Sequence, residues 1–220
     1  MGRNNNISKK QYIVAAHQII RKDGLPALTI RRLGRDLNCN TANLYRYFDS
    51  LEELSMYAAL SFLRDYLCEV SELFAREGDC VKRYFGVWDC FCEHAFANAP
   101  FFDLLFFGKY QTKLYLVITE YYTLFPEEVE GLGEMRTVFL QGDFDYRDYL
   151  FLDDIVRQGR MDERNAVMLN RIMINMFKGF FKKVLDLEPG PPEQIAERQK
   201  FHEVMQFVFA PYLINVTPSH

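Results

Sequence analysis

The stretch from Thr29 to Leu54, TIRRLGRDLNCNTANLYRYFDSLEEL, constrains this chain more than any other, because its punctuation specifies two short helices, a tight turn and the opening of a third. Thr29 is an N-cap residue, and Ile30, Leu33 and Leu37 follow at the three- and four-residue spacing of one buried helical face. The opposite face carries Arg31, Arg32 and Arg35. Asn38-Cys39-Asn40 reads as the turn, since Asn tolerates the left-handed backbone that ends a helix and Asn40 can cap the next one. In the second helix, Thr41 to Phe48, Leu44 and Phe48 are four apart and face inward. That leaves Thr41, Asn43, Arg46 and parts of Tyr45 and Tyr47 on the outside. Small polar, aromatic and cationic side chains together suit base edges and phosphates in a major groove, so the segment reads as a helix-turn-helix.

These residues resemble the TetR family of bacterial one-component repressors. The likeness runs through the Thr that opens the helix, Leu33, Gly34, the turn, and Leu44-Tyr45-x-Tyr47-Phe48-x-Ser50-x-Glu52-x-Leu54, and covers residues 8 to 60 by motif. The resemblance implies that Thr29, Tyr45 and Tyr47 touch phosphates, that Arg31, Thr41 and Asn43 approach bases, and that Arg46 serves either. Three departures stand out: Asn38 replaces a turn glycine, Ala42 a small or Gly residue, and Leu51 a lysine that touches a phosphate. The last removes one backbone contact.

Charge supports a nucleic-acid partner once its distribution is considered. The formal net charge is −4, but residues 1 to 50 hold nine Lys/Arg against three Asp/Glu, a balance of +6, while the rest hold 17 against 27, or −10. A basic head on an acidic body is the footprint of phosphate binding by one part of the chain. At 220 residues a small and a medium domain are expected, 1–50 for the helix-turn-helix and 51–220 for a larger helical body.

Before the motif, Ser8 caps a first helix that runs to about Lys22, with Tyr12, Ala15, Ala16 and Ile19 inward, ended by Asp23-Gly24. After it, the apolar spacing predicts one long helix from Ser50 to Glu77, a shared element that would link the two domains. Further helices are expected over 80–97, 109–125, 127–142 and 145–159, the last with Tyr149, Leu152, Ile155 and Val156 inward. Two final helices, Asp162 to Val184 and Glu193 to Leu213, carry apolar stripes wider than one core-facing seam. No strand-like alternation or repeat occurs, so the fold is expected to be all-α, dimerising through those two helices as a four-helix bundle.

No constellation points to catalysis. Gly131-Leu132-Gly133 is too short for a phosphate loop, Asp153-Asp154 diverge on a helix, and the four histidines have no nucleophile at informative spacing. Cys90-x-Cys92-x-His94 places only Cys90 and His94 on one helical face, so the five cysteines read as reduced thiols and neither a metal nor another cofactor is implied. The opening MGRNNN lacks an apolar run and no stretch of 18 apolar residues occurs, so a cytoplasmic protein without a membrane span is expected.

Hydrophobic content of 49% and aromatic content of 15% are high for a soluble chain and fit a pocket or a subunit interface beyond the core. The family resemblance implies a ligand cavity among the helices of the second domain, with Trp88, Phe91, Phe106, Tyr110 and Phe177 as candidate walls and Arg136 as the polar group. The function implied is a ligand-responsive transcriptional regulator, released from a palindromic double-stranded DNA operator by a small apolar or aromatic effector. Two other classes stay open: an all-helical small-molecule binding protein, and an all-helical enzyme, neither binding DNA specifically.

Overall fold

The computed structural model describes residues 6–108, 111–133, 135–140, 143–187 and 190–214. Its architecture is all-α, as the periodicity requires: α1 (Lys9–Asp23), α2 (Ile30–Asp36), α3 (Leu51–Leu60), α4 (Arg64–Arg76), α5 (Cys80–Ala97), α6 (Ala99–Phe106), α7 (Leu114–Leu124), α8 (Met135–Phe139), α9 (Phe144–Arg157), α10 (Glu163–Leu187) and α11 (Pro191–Phe209). No described helix is long and apolar enough to cross a membrane. The chain divides into two compact units, residues 1–64 with 100–130, and 65–99 with 131–220.

Helix starts in the first unit are set by short polar side chains that satisfy otherwise orphaned amides. Ser8 and Gln11 form a reciprocal capping box at α1. Thr29 Oγ1 accepts from Arg32 N at 3.1 Å, Asn40 Oδ1 from Ala42 N at 3.1 Å, and Ser50 Oγ from Glu53 N at 3.1 Å. The core between these helices is built from Tyr12, Ala16, Leu33, Leu44, Phe48 and Tyr57, all buried. Helix α7 completes this unit. Lys9 Nζ reaches Glu120 at 2.7 Å, Tyr57 donates its hydroxyl to the same carboxylate at 2.5 Å, and Lys10 Nζ donates to the carbonyl of Leu124 at 2.7 Å.

Three expected helices differ in the structure. The run from Ser50 to Glu77 is not one α-helix: Ser61–Leu63 is a 3-10 turn that separates α3 from α4. Ser61 Oγ bonds back to the Ala58 carbonyl at 2.8 Å and also meets His17 Nδ1, an alternative to the regular helical ladder that tightens the turn. Over 127–142, the helix shortens to a 3-10 turn at Pro126–Glu128 and α8, because Gly131 and Gly133 adopt positive φ between them (88° and 54°). Of 109–125, the described part is a 3-10 turn at Gln111–Lys113 followed by α7.

The second unit packs α5, α9, α10 and α11 around a continuous aromatic core of Tyr84, Trp88, Phe91, Phe177, Phe201 and Phe209. Burying such a side chain is worth about 1.5 to 3 kcal/mol. On α9 the buried face is Arg147, Asp148, Phe151, Leu152 and Ile155, which corrects the sequence expectation: Tyr149 and Val156 are half-buried at its flanks.

Candidate functional site

The helix-turn-helix is closed by a close approach between its two arms. A Cβ on Gly34 would lie 2.5 Å from Thr41 Cγ2, so any larger residue here would force the Thr41 side chain to shift. Asn38 makes the turn with φ 48°, the left-handed conformation that asparagine tolerates best after glycine. The following segment, Thr41–Arg46, is wound as a 3-10 helix rather than the expected α-helix. Asn43 N bonds to Asn40 O at 3.1 Å and Tyr47 N to Leu44 O at 3.0 Å, before Phe48 N returns to Leu44 O at 3.2 Å. With so few residues between cap and exit, the tighter i→i+3 bonds satisfy its amides.

This arrangement holds the seven proposed contact residues on one rigid frame. Leu33, Leu44 and Phe48 point inward, leaving Arg31, Tyr45 and Arg46 exposed and Thr41 and Asn43 half-buried. Tyr45 is 56% exposed. Arg31 and Arg46 make no ion pair among the described residues, so their guanidinium groups are available to a phosphate or a guanine edge. Arg32, by contrast, is turned onto Asp23 and Asp36 and is a structural brace of the head. Thr29 is exposed but spends its hydroxyl on the cap of α2. Tyr47 is half-buried, with its ring 6.2 Å from Tyr12. Arg35 and Asn38 line the same concave surface as Arg31 and Thr41, an addition that sequence spacing alone does not single out.

A second feature lies inside the second unit. A cavity of about 30 Å³ is lined by Tyr66, Val87, Trp88, Phe91, Phe139, Phe144, Arg147, Asp148 and Phe151. Such a volume holds a water or two and not an organic effector. Of the proposed wall residues, Trp88 and Phe91 line it, and Phe177 stands behind them with ring centroids 5.5 Å and 5.0 Å away. Phe106 is elsewhere, buried in the first unit beside Phe102 and Phe107. Tyr110 lies outside the described residues. Arg136 is exposed on α8 and is not part of the lining; the polar groups there are Arg147 and Asp148, which sequence reading missed. Their signal was present in the 144, 147, 148, 151 spacing, which places two ionisable side chains on the apolar face of α9.

Asp148 is only 5% exposed. Its Oδ2 accepts from Asn170 Nδ2 at 2.8 Å and from the Tyr84 hydroxyl at 3.1 Å. The Trp88 N–H faces the same carboxyl outside good hydrogen-bond geometry. Burial outweighs these donors and pushes the carboxyl up to about 7. Burial also raises the hydroxyls of Tyr66 and Tyr84 well above the ordinary tyrosine range. Cys92 is buried and raised for the same reason, and Cys90 is pushed up to about 11, so neither is an activated thiolate. Among the described residues no group of three or more His, Cys, Asp or Glu is placed to hold a metal ion.

The sequence matches no family model and no curated protein sequence. Solved structures share its fold. The Thermus thermophilus FadR, a TetR family transcriptional repressor in complex with lauroyl-CoA, superposes with a TM-score of 0.58 at 12% identity over 97% of this chain and 99% of that one. A TetR transcription regulator from Haloarcula marismortui does so with a TM-score of 0.56 at 14% identity, over 94% and 98%. An all-α chain with a Gly34–Thr41 helix-turn-helix crossing, capped at Thr29, Asn40 and Ser50, therefore has the fold of the TetR-family transcription regulators.

Proposed function

We propose that this protein is a sequence-specific DNA-binding transcriptional regulator of the repressor type, released from a palindromic operator by a small apolar or aromatic effector. The observation that carries the reading is the pair Arg31 and Arg46, exposed on either arm of a braced helix-turn-helix and without an ion pair among the described residues. They sit in the part of the chain that holds its net positive charge. Thr41, Asn43 and Tyr45 stand beside them, polar and aromatic groups suited to base edges and phosphates. Thr29 and Tyr47 complete the set as phosphate contacts.

The reading includes a homodimer formed through α10 and α11, because palindromic sites are met by two-fold symmetric proteins. Ile172 and Met168 on α10 and Val204 and Phe207 on α11 are exposed apolar residues, and Phe207 is 81% exposed. Exposed apolar residues on two such helices are what a subunit interface would cover. The effector part rests on the aromatic cavity beside Trp88, together with the lauroyl-CoA held by the Thermus thermophilus repressor of the same fold. Filling it requires its rings to part. The chain is then a regulator and not an enzyme, acting in the cytoplasm.

The test is a gel shift of the purified protein against the DNA flanking its own gene, with excess nonspecific competitor. A discrete complex that survives competition is expected. Binding that the competitor removes entirely would overturn the proposal and leave an all-helical small-molecule binding protein.

A further inference from the structure

The concave surface between α2 and the segment after it carries more cationic side chain than the contacts already assigned to it use. Arg31, Arg35 and Asn38 stand four and three residues apart, so they share one face of α2 and its exit, and all three line that surface with Thr41. The Arg35 side chain is 74% exposed; its Nε donates to Asp36 Oδ1 at 3.0 Å, and its terminal nitrogens make no hydrogen bond among the described residues. An ion pair between neighbours at that exposure is worth little and does not hold the guanidinium away from a stronger anion. Asp36 is also shared with Arg32, whose Nε lies 3.5 Å from Oδ2, and Arg32 in turn pairs with Asp23. Both acids of this corner are thus gathered around Arg32. Arg31 and Arg35 are left as like charges one helical turn apart, an arrangement that weakens a helix unless an anion lies beside them. The carbonyls that end α2 do not oppose such an anion, because those of Leu33, Gly34 and Arg35 accept from the amides of Leu37, Cys39 and Asn38.

We infer that this surface seats a phosphate group of the DNA backbone, held by the Arg35 guanidinium and the Asn38 side-chain amide one turn from Arg31. The inference rests on the reading of the helix-turn-helix as a DNA-binding head and adds two positioning residues to it. A guanidinium presents parallel N–H groups that match two phosphate oxygens, and Asn38, exposed at φ 48°, supplies a further N–H donor on the same face. A contact of this kind carries no sequence information. It fixes the register in which Arg31, on the same wall, meets a base edge.

Salt dependence counts phosphate contacts and needs no knowledge of the operator. The full-length protein is titrated by fluorescence anisotropy against a labelled DNA duplex of arbitrary sequence from about 50 to 200 mM NaCl, where each neutralised phosphate contributes about 0.9 to the slope of log affinity on log salt. Arg35→Gln, checked for fold by circular dichroism, is expected to bind severalfold more weakly and to lower the magnitude of the slope by about one. Arg35→Lys, which keeps a point charge for the phosphate, is expected to keep the slope. Asn38→Gly retains the left-handed backbone and removes only the amide, so weaker binding with an unchanged slope is expected. Lys22→Gln, which removes an exposed cation in the last turn of α1 away from this surface, is the control and should change the slope far less. A slope for Arg35→Gln no lower than that for Lys22→Gln, or an Arg35→Lys protein as weak as Arg35→Gln, would overturn the assignment while DNA binding by the head stands. A wild-type protein that binds no duplex at the lowest salt would sink the DNA-binding reading and the phosphate seat with it. Should Arg35→Gln not fold, Asn38→Gly decides, and unchanged affinity in that variant would overturn the seat.

Discussion

Gly34 and Thr41 meet so closely that a Cβ on the glycine would stand 2.5 Å from Thr41 Cγ2, so a side chain there would displace the threonine or part the two arms of the helix-turn-helix. Gly34→Ala would ordinarily gain up to about 1 kcal/mol in a helix. Here overpacking outweighs that gain, and a net loss of about 1 to 3 kcal/mol is expected. Urea denaturation checks it. A stabilised Gly34→Ala protein that binds DNA with unchanged affinity would show that the arms can part without cost.

On the proposed reading, Arg31 and Tyr47 make two different kinds of DNA contact. Arg31→Ala is expected to cost ~1 to 3 kcal/mol at one base pair and to relax preference there. Tyr47→Phe, which leaves the ring packed against Tyr12, should weaken binding alike across operator variants. Affinities for a panel of single-base operator variants distinguish the two. Uniform losses in both mutants would remove Arg31 from base readout. Thr29→Ala is a poorer probe, because it also deletes the α2 cap at a cost of about 1 kcal/mol.

Phe207 and Val204 test the proposed subunit interface. A charge in the middle of an apolar patch opposes its burial, so Val204→Glu with Phe207→Glu is expected to yield a folded monomer that has lost operator affinity. Sedimentation velocity at micromolar concentration measures the state directly. A wild-type monomer under those conditions, or a dimer that survives both substitutions, would place the contact elsewhere.

Asp148 makes stability depend on pH with an uncommon sign for a carboxylate. Its folded value, about 7, lies above the ordinary value of 3.8, so the native state binds the proton more tightly than the unfolded chain. The stability it contributes is full below pH 4 and is lost as pH rises through 7, up to about 4 kcal/mol for a shift of this size. Relative to Asp148→Asn, the wild type is therefore expected to lose stability from pH 4 to about 7 and to run parallel to the variant from pH 8 upward. Taking the difference cancels Asp79 and Glu197, whose hydrogen bonds hold their carboxyls below the usual range and act in the opposite sense. Chemical denaturation across that range checks it, and a difference that does not vary with pH would mean that Asp148 stays ionised in the folded protein.

What the amino-acid order determines by itself is local. The caps at Ser8, Thr29, Asn40 and Ser50, the left-handed turn at Asn38 and the inward set Leu33, Leu44 and Phe48 each depend on residues within a few steps of one another, where backbone sterics and short hydrogen bonds decide the outcome. The helix-turn-helix, the all-helical class and the wide stripes of α10 and α11 follow from such short-range rules. Tertiary structure decided the rest. The break at Ser61 depends on His17, 44 residues away, and the place of α7 beside α1 depends on Lys9 and Tyr57 converging on Glu120. The cavity's polar pair was hidden because Arg147 and Asp148 look like ordinary surface charges until Tyr84, from α5, and Asn170, from α10, close over the carboxyl. Which aromatic rings line a cavity and which merely pack is likewise unreadable from spacing, as Phe106 and Phe139 illustrate: both are buried at helical positions, and only the second faces the space beside Trp88. Period and capping act along one helix, whereas a cavity is left by the side chains of several, and its lining is set by how their faces meet.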